Sequence, residues 1–392
     1  MAYEWDKRAY YTILKEWRKR RDFKVREWLD TKTIKAKPRA SNGGVVGNVH
    51  RSYKDKDPGI YTLNNVFNSK SDPGAGGGGS SGPSFLFLPL VGMGSTSGPL
   101  GSLMSTAYAG LALSPVQGQH QGKQRWTVPS SGTYQFEIGG AGGGAGGNKA
   151  LAGDTLGAKV VFTADLTAGD LIEVAVGVVG GSHGGAHGNE HGGGGATWVY
   201  NFTTSTLLGV AGGAGGVPSN QYGGNCTRDI TKGHGSDLEV PDYTACQYTP
   251  SVPSGGHGGT ASGGYHGGAG GGFVTNGANG GTHCATATGG ASWGGGLIGG
   301  VGNTCYTTLN RGGFGGGGGG QLGGPGAAGG YTGGRSSGNW SSYSTYGGGG
   351  GSYVHPTACT LISKTLGGNN ADPVGAPSNA YWHARAGYCQ LN

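Results

Sequence analysis

The chain has 392 residues, 94 of them Gly, with 34% hydrophobic and 12% charged residues, where an ordinary soluble domain carries ~45–50% and ~25%. This excludes a metabolic enzyme built on one large aliphatic core. Glycine clustered into GG, GGG and GGGGGG blocks also excludes collagen, which needs one in every three. The formal charge of +7 is uneven: residues 1–70 hold 17 Lys/Arg and 8 Asp/Glu, whereas 71–392 hold 10 and 12. A basic head on a nearly neutral body asks for an acidic partner surface.

In chain order, residues 4–29 predict a helix. Tyr10, Leu14, Trp17 and Arg21 step along one face, Ile13 widens the stripe, and no Gly or Pro interrupts Met1 to Ala36. The helix would be an anchor arm in which Trp5, Tyr10, Trp17 and Trp28 insert while Arg18, Arg20 and Arg21 pair with acidic groups of a partner protein. Glu16, Asp22 and Glu27 among the basic residues weigh against nucleic acid as the partner. The arm spans 1–40, and a linker and extended low-complexity segment spans 41–124. Within it SDPGAGGGGSSGPS at 71–84 has the composition of a flexible linker. FLFLPLV opens an uncharged stretch at 85–114 whose apolar runs are too short for a membrane span. We read this stretch as buried extended chain or a subunit contact.

From 125 the pattern turns to strand. WTVPSSGTYQFEIGG gives two alternating runs around a Ser-Gly turn, and AKVVFTADLTAGDLIEVAVGVVGG gives two more around Ala168-Gly169-Asp170. Along LIEVAV, Leu171, Glu173 and Ala175 face one way while Ile172, Val174 and Val176 face the other. That is a β-sandwich or jelly-roll pattern with antiparallel strands. Beyond 200, glycine blocks alternate with small aromatic or polar islands. Ordering glycine costs roughly 0.5–1 kcal/mol more than ordering Ala, so ordered blocks need a specific compensation. An extended left-handed helix with three residues per turn supplies it, because such helices pack closely enough for mutual N–H···O=C bonds. The expected fold is therefore mainly β: a sandwich at 125–355 with an inserted bundle of polyglycine-II-type helices, closed by a strand or loop segment at 356–392.

GGGGATWVY at 192–200, LLGVAGGAGG at 207–216, RGGFGGGGGGQLGGPGAAGGYTGG at 311–334 and GGGGGSYV at 347–354 follow that strand module in order. The run from Trp126 to Val354 thereby resembles the glycine-rich domain of the anaplastic lymphoma kinase and leukocyte tyrosine kinase receptors. The resemblance implies a sandwich related to tumour-necrosis-factor-like modules, a hexagonal polyglycine bundle and extracellular ligand binding. No kinase pattern or membrane span accompanies it, so only the domain is carried over. Similar domains occur in phage tail-fibre adhesins and other virion surface proteins, where a docking segment precedes a glycine-rich tip.

All six cysteines, Cys226, Cys246, Cys284, Cys305, Cys359 and Cys389, lie late in the chain without a CxxC, an arrangement that predicts disulfides rather than zinc. MAYEWDKRAYY lacks the apolar core of a signal peptide. A virion surface protein reconciles the two; an extracellular location is the alternative. His187, Glu190 and His191 fit H-x-x-E-H, and His183 extends the spacing, but the glycine around them opposes the helix that zinc chemistry needs. No cofactor, metal or catalytic residue is expected. The expected function is a non-enzymatic capsid- or tail-attached spike, fibre or adhesin, a homo-oligomer in which a trimer is one arrangement. Its partner at the tip would be a host-surface receptor or glycan, with Trp293, Trp340, Tyr343 and Tyr346 as the contact residues. The alternatives are a secreted matrix or filament protein and a nucleic-acid-binding protein that uses the basic arm.

Overall fold

The computed structural model describes residues 85–89, 91, 94–99, 113–115, 122–144, 156–181, 191–217, 239, 255–262, 266–281, 286–302, 310–321, 324–337, 347–367 and 386–392. The expected helical arm lies outside them. The described residues are all-β. In chain order the strands are β1 (Phe85–Phe87), β2 (Leu113–Pro115), β3 (Gln124–Thr127), β4 (Gly132–Gly139), β5 (Lys159–Leu166) and β6 (Leu171–Ala175). There follow β7 (Thr197–Asn201), β8 (Thr206–Ala211), β9 (Ala261–Ser262), β10 (Ser336–Ser337), β11 (Tyr353–Val354), β12 (Cys359–Thr365) and β13 (Tyr388–Leu391).

Two antiparallel sheets face each other. One has the order β1-β13-β4-β5-β12 and the other β11-β8-β7-β6-β3-β2, while β9 and β10 form a small parallel pair. Alternation in β4 and β5 sends Phe136, Ile138, Val160 and Phe162 inward, where they meet Trp126, Ile172, Val174, Val199 and Leu208 of the opposite sheet. Phe136 and Phe162 are direct cross-strand partners with stacked rings 5.2 Å apart. Gly209 of β8 stands against the Phe162 ring, where a Cβ would come within 2.4 Å. The two predicted turns are present, but neither closes a hairpin. β3 and β4 lie in different sheets, and so do β5 and β6, so both turns carry the chain across the core. Gly169, at φ +90°, makes the second of these crossings.

The sandwich has two distinct ends. The connections 128–131, 167–170, 202–205 and 355–358 turn at one end, called the base here. At the other end β4, β6 and β8 run directly into glycine segments, and β7 and β11 emerge from them. These segments bond to one another through their backbones. Along 191–196, Gly192 and Gly195 donate to the Gly181 and Val178 carbonyls, Gly193 donates to Gly318 and Gly194 to Ala214. The carbonyls of Gly192 and Gly195 accept from Gly144 and Ala141, that of Gly193 from Gly313 and that of Gly194 from Gly329. Six stretches of chain thus surround this one, and residues three apart share the same two neighbours. The period recurs at 326–330: Gly326 and Gly329 donate to His191 and Gly194, while Ala327 and Gly330 donate to Gly268 and Gly271.

Such approach leaves no space for side chains. A Cβ on Gly193 would stand 1.9 Å from the Ala327 oxygen, one on Gly195 1.7 Å from the Phe314 oxygen, and one on Gly194 2.4 Å from the Gly142 oxygen. Gly193→Ala is therefore expected to destabilise the protein by more than about 3 kcal/mol. Gly132→Ala, with nothing within 4 Å of its Cβ, should be neutral or gain a few tenths of a kcal/mol. Urea titration of both variants checks this; a Gly193→Ala protein as stable as the parent would contradict the close packing.

Candidate functional site

Alternation along β6 places Ile172 and Val174 in the inter-sheet core and turns Glu173 and Ala175 outward. An outward face of a sheet should meet water, yet Glu173 is 2% and Ala175 0% exposed. The cover comes from the glycine-rich region. Trp293, Leu297 and Phe314 pack on Ala175, Trp198, Leu207 and Val210, with Phe273, Tyr331, Tyr353 and Tyr200 at the margins. Trp293 stands 5.7 Å from Trp198 and 5.1 Å from Tyr200, ring centre to ring centre. A second run of rings joins Trp198 to Phe273 at 6.5 Å, Phe273 to Tyr331 at 6.3 Å and Tyr331 to Tyr353 at 4.3 Å.

Three charged residues lie along the β3–β6 margin of this seam. Arg125 is paired in register with Glu173 and forms an ion pair with it. Its guanidinium carbon also lies 4.1 Å from the centre of the exposed Phe202 ring. Lys123, just before β3, is fully buried; its Nζ is 3.5 Å from the centre of the Trp293 ring and donates to the Trp293 carbonyl at 3.3 Å. Burial lowers the Lys123 ammonium to about 8; Glu173 opposes the shift and Arg125 adds to it. Burial likewise pushes the Tyr331 hydroxyl up, helped by the charge of Glu239. The arrangement clamps a glycine-rich turn onto the sheet by cation–π attraction, worth ~2 kcal/mol when desolvated, and by aromatic area.

The residues singled out in the sequence fall differently. Trp293 is 8% exposed. It belongs to this seam, so its ring is not a free contact surface. Trp340, Tyr343 and Tyr346 lie outside the described residues, as do the anchor residues Trp5, Tyr10, Trp17, Arg18, Arg20, Arg21 and Trp28. Of the six cysteines expected to form bridges, Cys226, Cys246, Cys284 and Cys305 lie outside as well, while Cys359 and Cys389 are free thiols. β4 and β5 separate these two. Three strand spacings amount to about 14 Å, twice what a disulfide can bridge. Burial pushes the Cys359 thiol up to about 12 and moves Cys389 the same way, so both are protonated and inert at neutral pH.

His183, His187 and Glu190 are not among the described residues. His191 opens an extended glycine segment, its carbonyl accepting from Gly326. Among the described residues no group of three His, Cys, Asp or Glu side chains could hold a metal ion. Lys123 and Arg125 escaped the sequence reading, although the alternating charges of KQR just before an aromatic strand residue were a usable signal, as was Glu173 alone in an apolar strand. No family model matches the chain, and no curated protein matches it at a significant level.

The buried ammonium yields a test with a defined sign. The folded state holds Lys123 at about 8 against 10.5 for the free side chain, so the unfolded chain binds more protons between those values. This residue therefore makes stability rise with pH across that window. From pH 7 to 10.5 the parent should gain about 3 kcal/mol over a Lys123→Met variant, with groups common to both proteins cancelling. Denaturant unfolding at stepped pH reads the difference, and a flat one would show that the ammonium is not desolvated.

Proposed function

We propose that the protein is a non-enzymatic virion structural protein, a capsid- or tail-attached spike, fibre or adhesin with an N-terminal anchor and an exposed glycine-rich domain. The observation that carries this reading is the polarity of the fold. Phe85 pairs with Leu391 and Phe87 with Cys389, and these stand level with Phe136 and Ile138 of β4. β1 is therefore parallel to β4: the chain comes in from the base and heads toward the glycine segments. Gly144, Gly181, His191, Val217, Asn310 and Gly347 mark the opposite end, as the bonds Gly144–Gly192, Gly192–Gly181, Val217–Gly144, Gly326–His191, Gly216–Gly326 and Gly347–Gly216 join five of them and Gly320–Asn310 continues the set. The entry of β1 at the base and a contact surface at the far end would thus lie at opposite ends of the described residues, as a spike requires.

In this reading the glycine segments are polyglycine-II-type helices inserted in a jelly-roll-like sandwich, the architecture that the receptor resemblance implies. Support comes from bonding partners that repeat every three residues and from six-fold surroundings. Trp340, Tyr343 and Tyr346 remain the proposed contacts for a receptor or glycan, because Ser337 and Gly347 on either side of them belong to the far end; Ser336 lies beside Pro325 and Gly347 beside Gly216. The basic arm with its Trp and Arg residues would dock on other virion proteins. A matrix or filament protein is the second reading. It draws on β12, an edge strand where Leu361 and Ile362 are 49% and 54% exposed, since an uncovered apolar edge invites pairing between copies.

Immunogold electron microscopy of particles from the source, with antibody against residues 126–355, separates the two. Label on intact particle surfaces is the expected result. Label confined to extracellular material would remove the spike reading and favour the matrix one.

A further inference from the structure

The segment 85–99 touches more of the molecule than its length suggests. β1 adds to the edge of one sheet beside β13, and Phe87, 2% exposed, enters the inter-sheet core. The side-chain amide of Gln124 donates to the Leu88 carbonyl at 3.1 Å, tying the segment to β3 of the opposite sheet. Residues 94–96 then bond with three separate stretches of the glycine region. Gly94 donates to the Val179 carbonyl, the Ser95 carbonyl accepts from Phe314, and the Thr96 carbonyl accepts from Gly299, each at 2.8 Å. Its last turn is seated backbone to backbone: a Cβ on Gly98 would lie 2.5 Å from the Gly122 Cα and 2.8 Å from the Phe314 ring.

Direction matters here. β1 runs from the base toward the bundle, and β13 runs back toward the base. Tension between the chain preceding Phe85 and the far end of the bundle pulls along the strand axis. The β1–β13 bonds and the three bonds to the glycine region then resist together, in shear. Tension between the chain preceding Phe85 and Asn392 acts differently, because both leave the sheet toward the base and the pairs open one after another.

We propose that residues 85–89 and 94–99 form a tension-carrying strap, and that the domain is built to carry axial tension between its N-terminal attachment and its glycine bundle. A tether under pull is the use that a spike or adhesin would make of it, so the source of the force rests on the function proposed above; the strap itself is a property of this chain alone.

Single-molecule force spectroscopy on the full chain tests it, with attachment at Ser80 and Arg311 for the axial direction and at Ser80 and Asn392 for peeling. Arg311 is exposed, and its carbonyl accepts from Gly181 at the far end. The axial rupture force is expected to exceed the peeling force by about twofold or more at equal loading rate, since forced unfolding follows the barrier along the pulled direction. Gln124→Leu, which removes the tie to Leu88, should lower the axial force and leave the peeling force unchanged. Equal forces in the two directions, or an axial force that ignores Gln124→Leu, would overturn the strap. The directional ratio is measured without particles, so a low ratio with gold on virions rejects the strap alone, and a high ratio without gold rejects the spike alone.

Discussion

Backbone hydrogen bonding between glycine segments in near-contact is the constraint from which the rest of this structure follows. Ordering a glycine costs roughly 0.5–1 kcal/mol beyond Ala, and one intramolecular hydrogen bond returns about 0.5–1.5 kcal/mol net. The two magnitudes nearly cancel, so a single glycine segment has no reason to order by itself. Order arises only where each stretch is surrounded, as 191–196 is, and where something else fixes the ends. The sandwich does this by issuing β4, β6 and β8 straight into the bundle and receiving β7 and β11 from it. Tyr331, inside the aromatic run, also donates its backbone N–H to Gly351 just before β11.

The price of a core without side chains appears at the joint. A glycine bundle offers almost no apolar area to the sheet below it, and burial of apolar area is the main favourable term in folding. Trp293, Phe273, Phe314 and Tyr331 supply that area from short islands between glycine blocks. Lys123 and Arg125 follow from the same geometry. Their strand is covered on both faces, and each charge that turned outward was enclosed with partners: Lys123 with the Trp293 ring and carbonyl, Arg125 with Glu173.

Alternation in the sequence revealed the strands and the faces of β4, β5 and β6, because side-chain direction in a strand is a local property. Strand partners are not local, so the turns at 128–131 and 167–170 were legible as turns but not as crossings between sheets. Trp293 read as exposed because glycine flanks it in sequence; in space, flanking glycine is what lets the ring pack, tilted, against Trp198 and Tyr200. For Cys359 and Cys389 the even cysteine count pointed to bridges that these two do not make, for a related reason. Pairing depends on separation across the sheet, which no count contains, and β4 and β5 hold Cys359 and Cys389 apart.

The position of β13 carries a consequence for how such a chain comes to be folded. It lies between β1 and β4, so a strand made near the end of this sequence fills the gap between two made long before. Until residue 391 has left the ribosome, the edge of β4 is bare and Phe136 and Ile138 lack the neighbours Cys389 and Leu391. Contacts of such sequence separation fold slowly. The nascent protein therefore passes through an interval in which a sheet edge is naked, and its yield in a cell depends on what shields that edge until β13 arrives.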